Sequence, residues 1–224
     1  MQKNLHSLQL DAIRCNSVNL GKLNNFEIIM PQELNREEII ENLRLLSEWL
    51  GVKYPAEAFE LTVVGGAAMA LAGFKDQTKD IDLLRPARLP VPLKDGITHV
   101  SRAKRLPPEW INTNAANVLR KVKPLKGLPD YFSEISQTIV ISGNLRINVI
   151  GRQALISLKL WAATPSHAKH TTDIKNLQPA RQEISEAVRF VLSIDNSELR
   201  KDDLRIVLRE AGFDFDELIP PDGE

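Results

Sequence analysis

The sequence predicts an α/β (α+β) fold, a β-sheet flanked by helices with further helices towards the C-terminus. Three observations carry that expectation. Leu61 to Leu84, LTVVGGAAMALAGFKDQTKDIDLL, reads as strand, glycine turn, helix, strand. Thr138–Ser142 and Leu145–Ile150 are β-rich runs joined at Gly143-Asn144, a hairpin signal. Apolar stripes at helical spacing stand on either side of these strands.

Taken in order, residues 1–32 hold short apolar pairs such as Ile28 and Ile29 among Asn and Lys, and read as an N-terminal arm. Asn35 is placed as an N-cap with Glu38 at the third helical position. Ile39, Ile40, Leu43, Leu46, Trp49 and Leu50 then form one stripe, and Gly51 is the expected stop. Strand Leu61–Val64, helix Ala67–Ala72 and strand Asp80–Leu84 follow. Residues 85–126 change character: ten basic side chains face only Asp95 and Glu109, a local net charge of +8, and Pro86, Pro90, Pro92, Pro107 and Pro108 interrupt the run. After the hairpin comes helix Gln153–Ala163, with Leu155, Leu158 or Lys159, and Ala162 near the core. Ile184, Ala187, Val188, Val191 and Leu192 mark another helix, and Ser197 opens one that carries Leu204, Val207, Leu208 and Ala211 before Gly212. Pro220 to Glu224 reads as a frayed tail. The expected organisation is an arm at 1–32, the principal domain at 33–180 and a helical region at 181–224.

Composition narrows the class. At 224 residues, 43% hydrophobic and 26% charged, the chain has the make-up of a globular protein with room for one sizeable core. Basic and acidic residues both total 29, so overall charge selects no partner. Cys15 is the sole cysteine, which excludes an intrachain disulfide and a cysteine-rich zinc site and points to the cytoplasm. No stretch is long and apolar enough to cross a membrane, and MQKNLHSLQLDAIRC lacks the apolar run of a secretory signal.

The chemistry concentrates at Leu61–Leu84. Alternate side chains of a strand share a face, so Asp80 and Asp82 point the same way, roughly 7 Å apart. Gly65 and Gly66 permit a sharp turn and a close approach of backbone to ligand. A helix starting near Ala67 offers unpaired N–H groups to a phosphate. Two carboxylates beside such a cradle suit Mg²⁺ (or Mn²⁺), which is held by one or two carboxylates together with substrate phosphates.

On these residues the chain resembles the nucleotidyltransferase superfamily, whose signature is an apolar strand ending in Gly-Gly or Gly-Ser and, after a helix, Asp-x-Asp. Here Gly65 and Gly66 are followed, after thirteen residues, by Asp80-Ile81-Asp82. It is similar in particular to the AbiEii-type toxin nucleotidyltransferases and their uncharacterised bacterial relatives, where a Thr lies two residues before the first Asp, as Thr78 does here. The resemblance implies the nucleotidyltransferase fold, a mixed β-sheet flanked by helices, and a toxin-antitoxin-like setting. It implies metal binding by Asp80 and Asp82, cofactor contacts from Gly65, Gly66, Thr78 and Lys79, a phosphate-contacting Lys159, and an Asp173 that orients Lys159 or the acceptor. The sequence departs from the pattern where Asp76 replaces an Arg, and His167 and His170 replace Arg and Asp. The third carboxylate expected on the returning strand corresponds to Asn148, whose amide cannot act as a base. LPPEWIN, Leu106–Asn112, is similar to a segment of the uncharacterised relatives; Trp110 is expected to be packed and Asn112 to cap a turn.

The leading expectation is a protein that binds a nucleoside triphosphate with Mg²⁺ and moves a nucleotidyl group onto a hydroxyl of RNA, protein or a small molecule. A second is a catalytically degenerate binding or regulatory module, consistent with Asn148. A third is an RNA-binding protein led by the basic run, and a zinc site at His167, His170 and Asp173 is a further alternative.

Overall fold

Five strands form a mixed sheet in the computed structural model, which describes residues 33–123 and 125–219; the expected arm at 1–32 and the tail at 220–224 lie outside the described residues. The sheet has the order β5-β4-β2-β7-β6, built from β2 (Phe59–Val64), β4 (Ile81–Arg85), β5 (Ile111–Asn112), β6 (Ile135–Ser142) and β7 (Leu145–Ile150). β2 runs antiparallel to β4 and parallel to β7, β4 runs parallel to β5, and β6–β7 is the expected antiparallel hairpin about Gly143-Asn144. A two-residue pair, β1 (Leu34–Asn35) with β3 (Gln77–Thr78), lies apart from it. With nine α-helices among the described residues, the fold is mixed α/β.

Local chemistry explains the elements. α1 (Arg36–Lys53) begins at a complete capping box, the Asn35 side chain accepting from Glu38 N–H and Glu38 Oε2 accepting from Asn35 N–H, both at 2.9 Å. Its buried stripe is Ile39, Leu43, Leu46 and Leu50, all fully enclosed. The helix continues past the expected stop at Gly51, because no left-handed residue ends it there; Tyr54 N–H still bonds Leu50 C=O. α2 (Gly65–Leu71) includes the two glycines expected to precede it, and Asp80 sits just before β4 rather than within it.

The basic run, for which the sequence reading proposes no element, folds into α3 (Val91–Lys104), β5 and α4 (Asn114–Val122). Leu93, Ile97 and Val100 of α3 face the core beneath its cationic exterior. Trp110 is fully buried, its Nε1–H donating to Ile97 C=O at 3.1 Å, so LPPEWIN is pinned to α3. From there Trp110 C=O accepts from Ile81 N–H at 2.7 Å, which brings β5 alongside β4.

The remaining helices are α5 (Arg152–Ala162), α6 (Ala168–Leu177), α7 (Arg181–Leu192), α8 (Glu198–Ala211) and α9 (Phe215–Leu218). Ile184, Val188 and Val191 of α7 and Leu204, Val207 and Leu208 of α8 belong to the same hydrophobic core as the sheet. A buried Arg200 on α8 donates to the C=O groups of Leu160, Trp161 and Ala163, each at 2.9 Å, satisfying the carbonyls left open at the end of α5.

Candidate functional site

Asp80, Asp82, Gly65, Gly66, Thr78 and Lys159 line one cavity of about 290 Å³. The C-terminal ends of β2 and the start of α2 form its floor, β4 brings the aspartates, and the first turns of α4 contribute Asn114, Ala115 and Val118. α5 supplies Leu158, Lys159, Trp161 and Ala162, and α6 supplies Lys169 and His170. The cavity is thus polar at the acid pair and apolar along Val118, Leu158 and Trp161.

The glycines are required by side chains of the chain itself. Gly65 has φ +69°, and a Cβ there would lie 2.8 Å from Asp82 Oδ2. A Cβ on Gly66 would collide with Thr78 Oγ1. Thr78, itself buried, donates to Asp80 C=O at 3.2 Å. Close backbone approach therefore serves first to seat Asp82 and Thr78 against α2. Lys79 is exposed and is not among the residues lining the cavity.

The acid pair is electrostatically uneven. Burial, and then the charge of Asp80, push the Asp82 carboxyl up to about 6 against the weaker pulls of the adjacent Asn112 amide and then of the Lys159 and Lys169 charges. Asn112, on β5 in register with Asp82, donates from Nδ2 to Asp80 Oδ2 at 3.1 Å. Its Oδ1 accepts from Asn114 N–H at 2.9 Å, so the expected cap is present and is also a bridge to the acid pair. Two hard carboxylates, one braced by an amide, are a donor set that fits Mg²⁺ or Mn²⁺ completed by phosphate and water. Among the described residues no group of three or more His, Cys, Asp or Glu side chains is gathered for a metal.

Asn148 stands elsewhere. It pairs with Thr62 on β2, whereas Asp82 is level with Val64, two residues further along. Its amide donates to Glu60 and accepts from Thr138 Oγ1 at 2.9 Å. The amide facing the carboxylates is therefore Asn112, which the sequence reading singled out only as a turn cap; its signal was LPPEWIN following the acid strand.

Behind the cavity wall, Lys159 Nζ lies 2.5 Å from Asp173 Oδ2 and Lys75 Nζ lies 2.8 Å from Asp173 Oδ1. Asp173 is 1% exposed and does not line the cavity itself. Burial acts to raise its carboxyl pKa, but the Lys159 charge and the hydrogen bonds from both lysines outweigh it and hold it below the usual range. Burial depresses the Lys159 ammonium, in spite of Asp173. His170 Nδ1 is buried without a hydrogen-bond partner among the described residues, and burial, then the Lys159 charge, lower its pKa. His167 turns away to the hydroxyls of Thr164 and Ser166, at 2.8 and 3.0 Å, and Asp173 is engaged by lysines, so these three do not assemble as zinc ligands.

A larger hollow, about 640 Å³, opens at the β6–β7 turn. There Ser47, Ser142 and Asn144 bond one another and fasten the turn to α1. The cations of the basic run are divided: Lys104 pairs with Glu41 at 2.6 Å and Lys123 donates to Ser193 at 2.9 Å, while Arg102, Arg120 and Lys121 are exposed. No described helix is long and apolar enough to cross a membrane. Comparison of the chain with protein-family models, with curated proteins and with solved structures finds no match.

Proposed function

We propose that this chain is a nucleotidyltransferase-type protein that binds a nucleoside triphosphate with Mg²⁺ or Mn²⁺ in the cavity and transfers a nucleotidyl group to a hydroxyl of RNA, protein or a small molecule. The observation that carries the reading is the convergence of Asp80, Asp82, Gly65, Gly66, Thr78 and Lys159 on one cavity. Asp80 and Asp82 hold the cation, with Asn112 fixing Asp80. The chemistry that a bound divalent cation supplies is charge neutralisation across the phosphates. Lys159 offers an ammonium to a phosphate oxygen, and Asp173 sets where that ammonium rests. Val118, Leu158 and Trp161 give the nucleoside an apolar wall and exclude water from it. His170, which also lines the cavity, takes the proton of the attacking hydroxyl as that oxygen bonds the α-phosphorus and the α–β phosphoanhydride bond breaks, releasing pyrophosphate.

A second reading, nucleotide binding without transfer, is favoured by one feature: the carboxylates lining the cavity are Asp80 and Asp82, and the neighbouring strand presents the amide of Asn112. Calorimetry with nucleoside triphosphate and Mg²⁺ tests binding, and incubation with α-labelled nucleotide and total RNA or protein tests transfer. We expect binding that is lost in the Asp80→Ala, Asp82→Ala double variant, and label in an acceptor. Binding without label selects the second reading. Absence of binding, or binding indifferent to the aspartates, overturns both.

A further inference from the structure

Asp173 is a single carboxylate shared by two lysines. Two ammonium groups, Lys159 and Lys75, each contact a different oxygen of one carboxylate. One of them, Lys159, is 5% exposed and reaches the cavity, where Lys169 and His170 of α6 add donors and Asp82 faces it from β4. Lys75 does not line the cavity, and its side chain is 20% exposed. A buried ammonium in excess of its counterions is costly unless an anion completes the set. The same reasoning forbids Lys159 from leaving Asp173 alone, because a buried carboxylate without a partner is equally costly.

We propose that Lys75 is a positioning residue for Lys159: it keeps Asp173 paired when Lys159 turns from that carboxylate to an anionic phosphate group in the cavity. The cluster then works as a relay of counterions. Without ligand, two lysines share Asp173. With ligand, Lys75 alone satisfies Asp173, and Lys159 and the phosphate satisfy each other, so no buried charge is stranded in either state. The inference rests on the reading of the cavity as a phosphate site and adds to it a residue outside the cavity on which affinity depends.

The test uses the full chain with inorganic triphosphate and Mg²⁺ as probe, measured by calorimetry. Lys75→Met leaves Asp173 paired with Lys159, so the protein keeps its fold, yet it removes the spare cation. We expect its affinity to fall about tenfold, the scale of one lost charge contact, and Lys75→Arg to restore it to within about threefold. In an Asp173→Asn background, where no carboxylate needs a substitute partner, Lys75→Met is expected to change affinity less than about twofold. A purely structural or long-range electrostatic role for Lys75 would give the same loss in both backgrounds, and that result overturns the proposal. So does wild-type affinity in Lys75→Met. If the wild-type chain itself fails to bind the probe, the reading of the cavity falls first and this inference falls with it; binding that ignores Lys75 overturns this inference alone.

Discussion

Asn112 Nδ2 reaches Asp80 Oδ2 at 3.1 Å while Asn112 Oδ1 holds Asn114 N–H at 2.9 Å. A single amide thereby joins the acid pair to the first turn of α4, the helix that forms part of the cavity wall. The amide is 7% exposed, so both bonds are made away from most competing water.

Replacing Asn112 by Ala is expected to lower stability by about 1–3 kcal/mol, since an acceptor on Asp80 and a donor at Asn114 lose their partner. Asn112→Asp keeps the bond to Asn114 N–H but sets a third carboxylate beside Asp80 and Asp82. Its melting temperature should fall below that of the wild type without divalent cation and rise more than the wild type on adding Mg²⁺. Equal Mg²⁺ shifts in the two proteins would count against a cation site at these carboxylates that position 112 faces.

The pH response of Asp82 has a definite sign. Its folded-state value of about 6 lies above the ordinary 3.8, so the folded chain binds this proton more tightly than the unfolded chain. The stabilisation is complete below about pH 4 and is lost as pH rises through about 6, a change on the order of 3 kcal/mol. Asp82→Asn removes that loss. Denaturant melts should therefore find the variant close to the wild type in acid and more stable by about 1–3 kcal/mol near neutrality and above. A wild-type-minus-variant difference that is flat with pH would contradict the uneven acid pair.

Gly66→Ala drives a methyl group into Thr78, and Gly65→Ala places a side chain at φ +69° against Asp82 Oδ2. Each is expected to cost about 1–3 kcal/mol. Thr78→Ala removes the hydroxyl that meets the new methyl, so the Gly66→Ala, Thr78→Ala double variant should recover part of the stability lost in Gly66→Ala. Thr78→Ala should give no such recovery to Gly65→Ala, whose conflict is with Asp82. Urea unfolding of the five proteins, wild type included as reference, checks both statements.

What could be read from the sequence was local. The capping box at Asn35 and Glu38 and the Gly143-Asn144 hairpin depend on residues within a few positions of each other, and both appear in the structure. α3 escaped because Lys94, Arg102 and Lys104 dominate its composition and conceal the spacing of Leu93, Ile97 and Val100. The pairing of Asn112 with Asp80 spans 32 positions and that of Lys75 with Asp173 spans 98, and no periodicity carries information over such separations. Asn148 illustrates a subtler limit. Its strand is legible in the sequence, but its level relative to Asp82 depends on how β7 registers against β2, which is set by packing between distant segments.

The guanidinium of Arg200 closes the carbonyl end of the helix that bears Lys159, from a position some forty residues later in the chain. A ribosome therefore releases the carboxylate half of the cavity well before the residue that secures its opposite wall. The wall that carries Lys159 is thus secured by a residue that does not itself line the cavity.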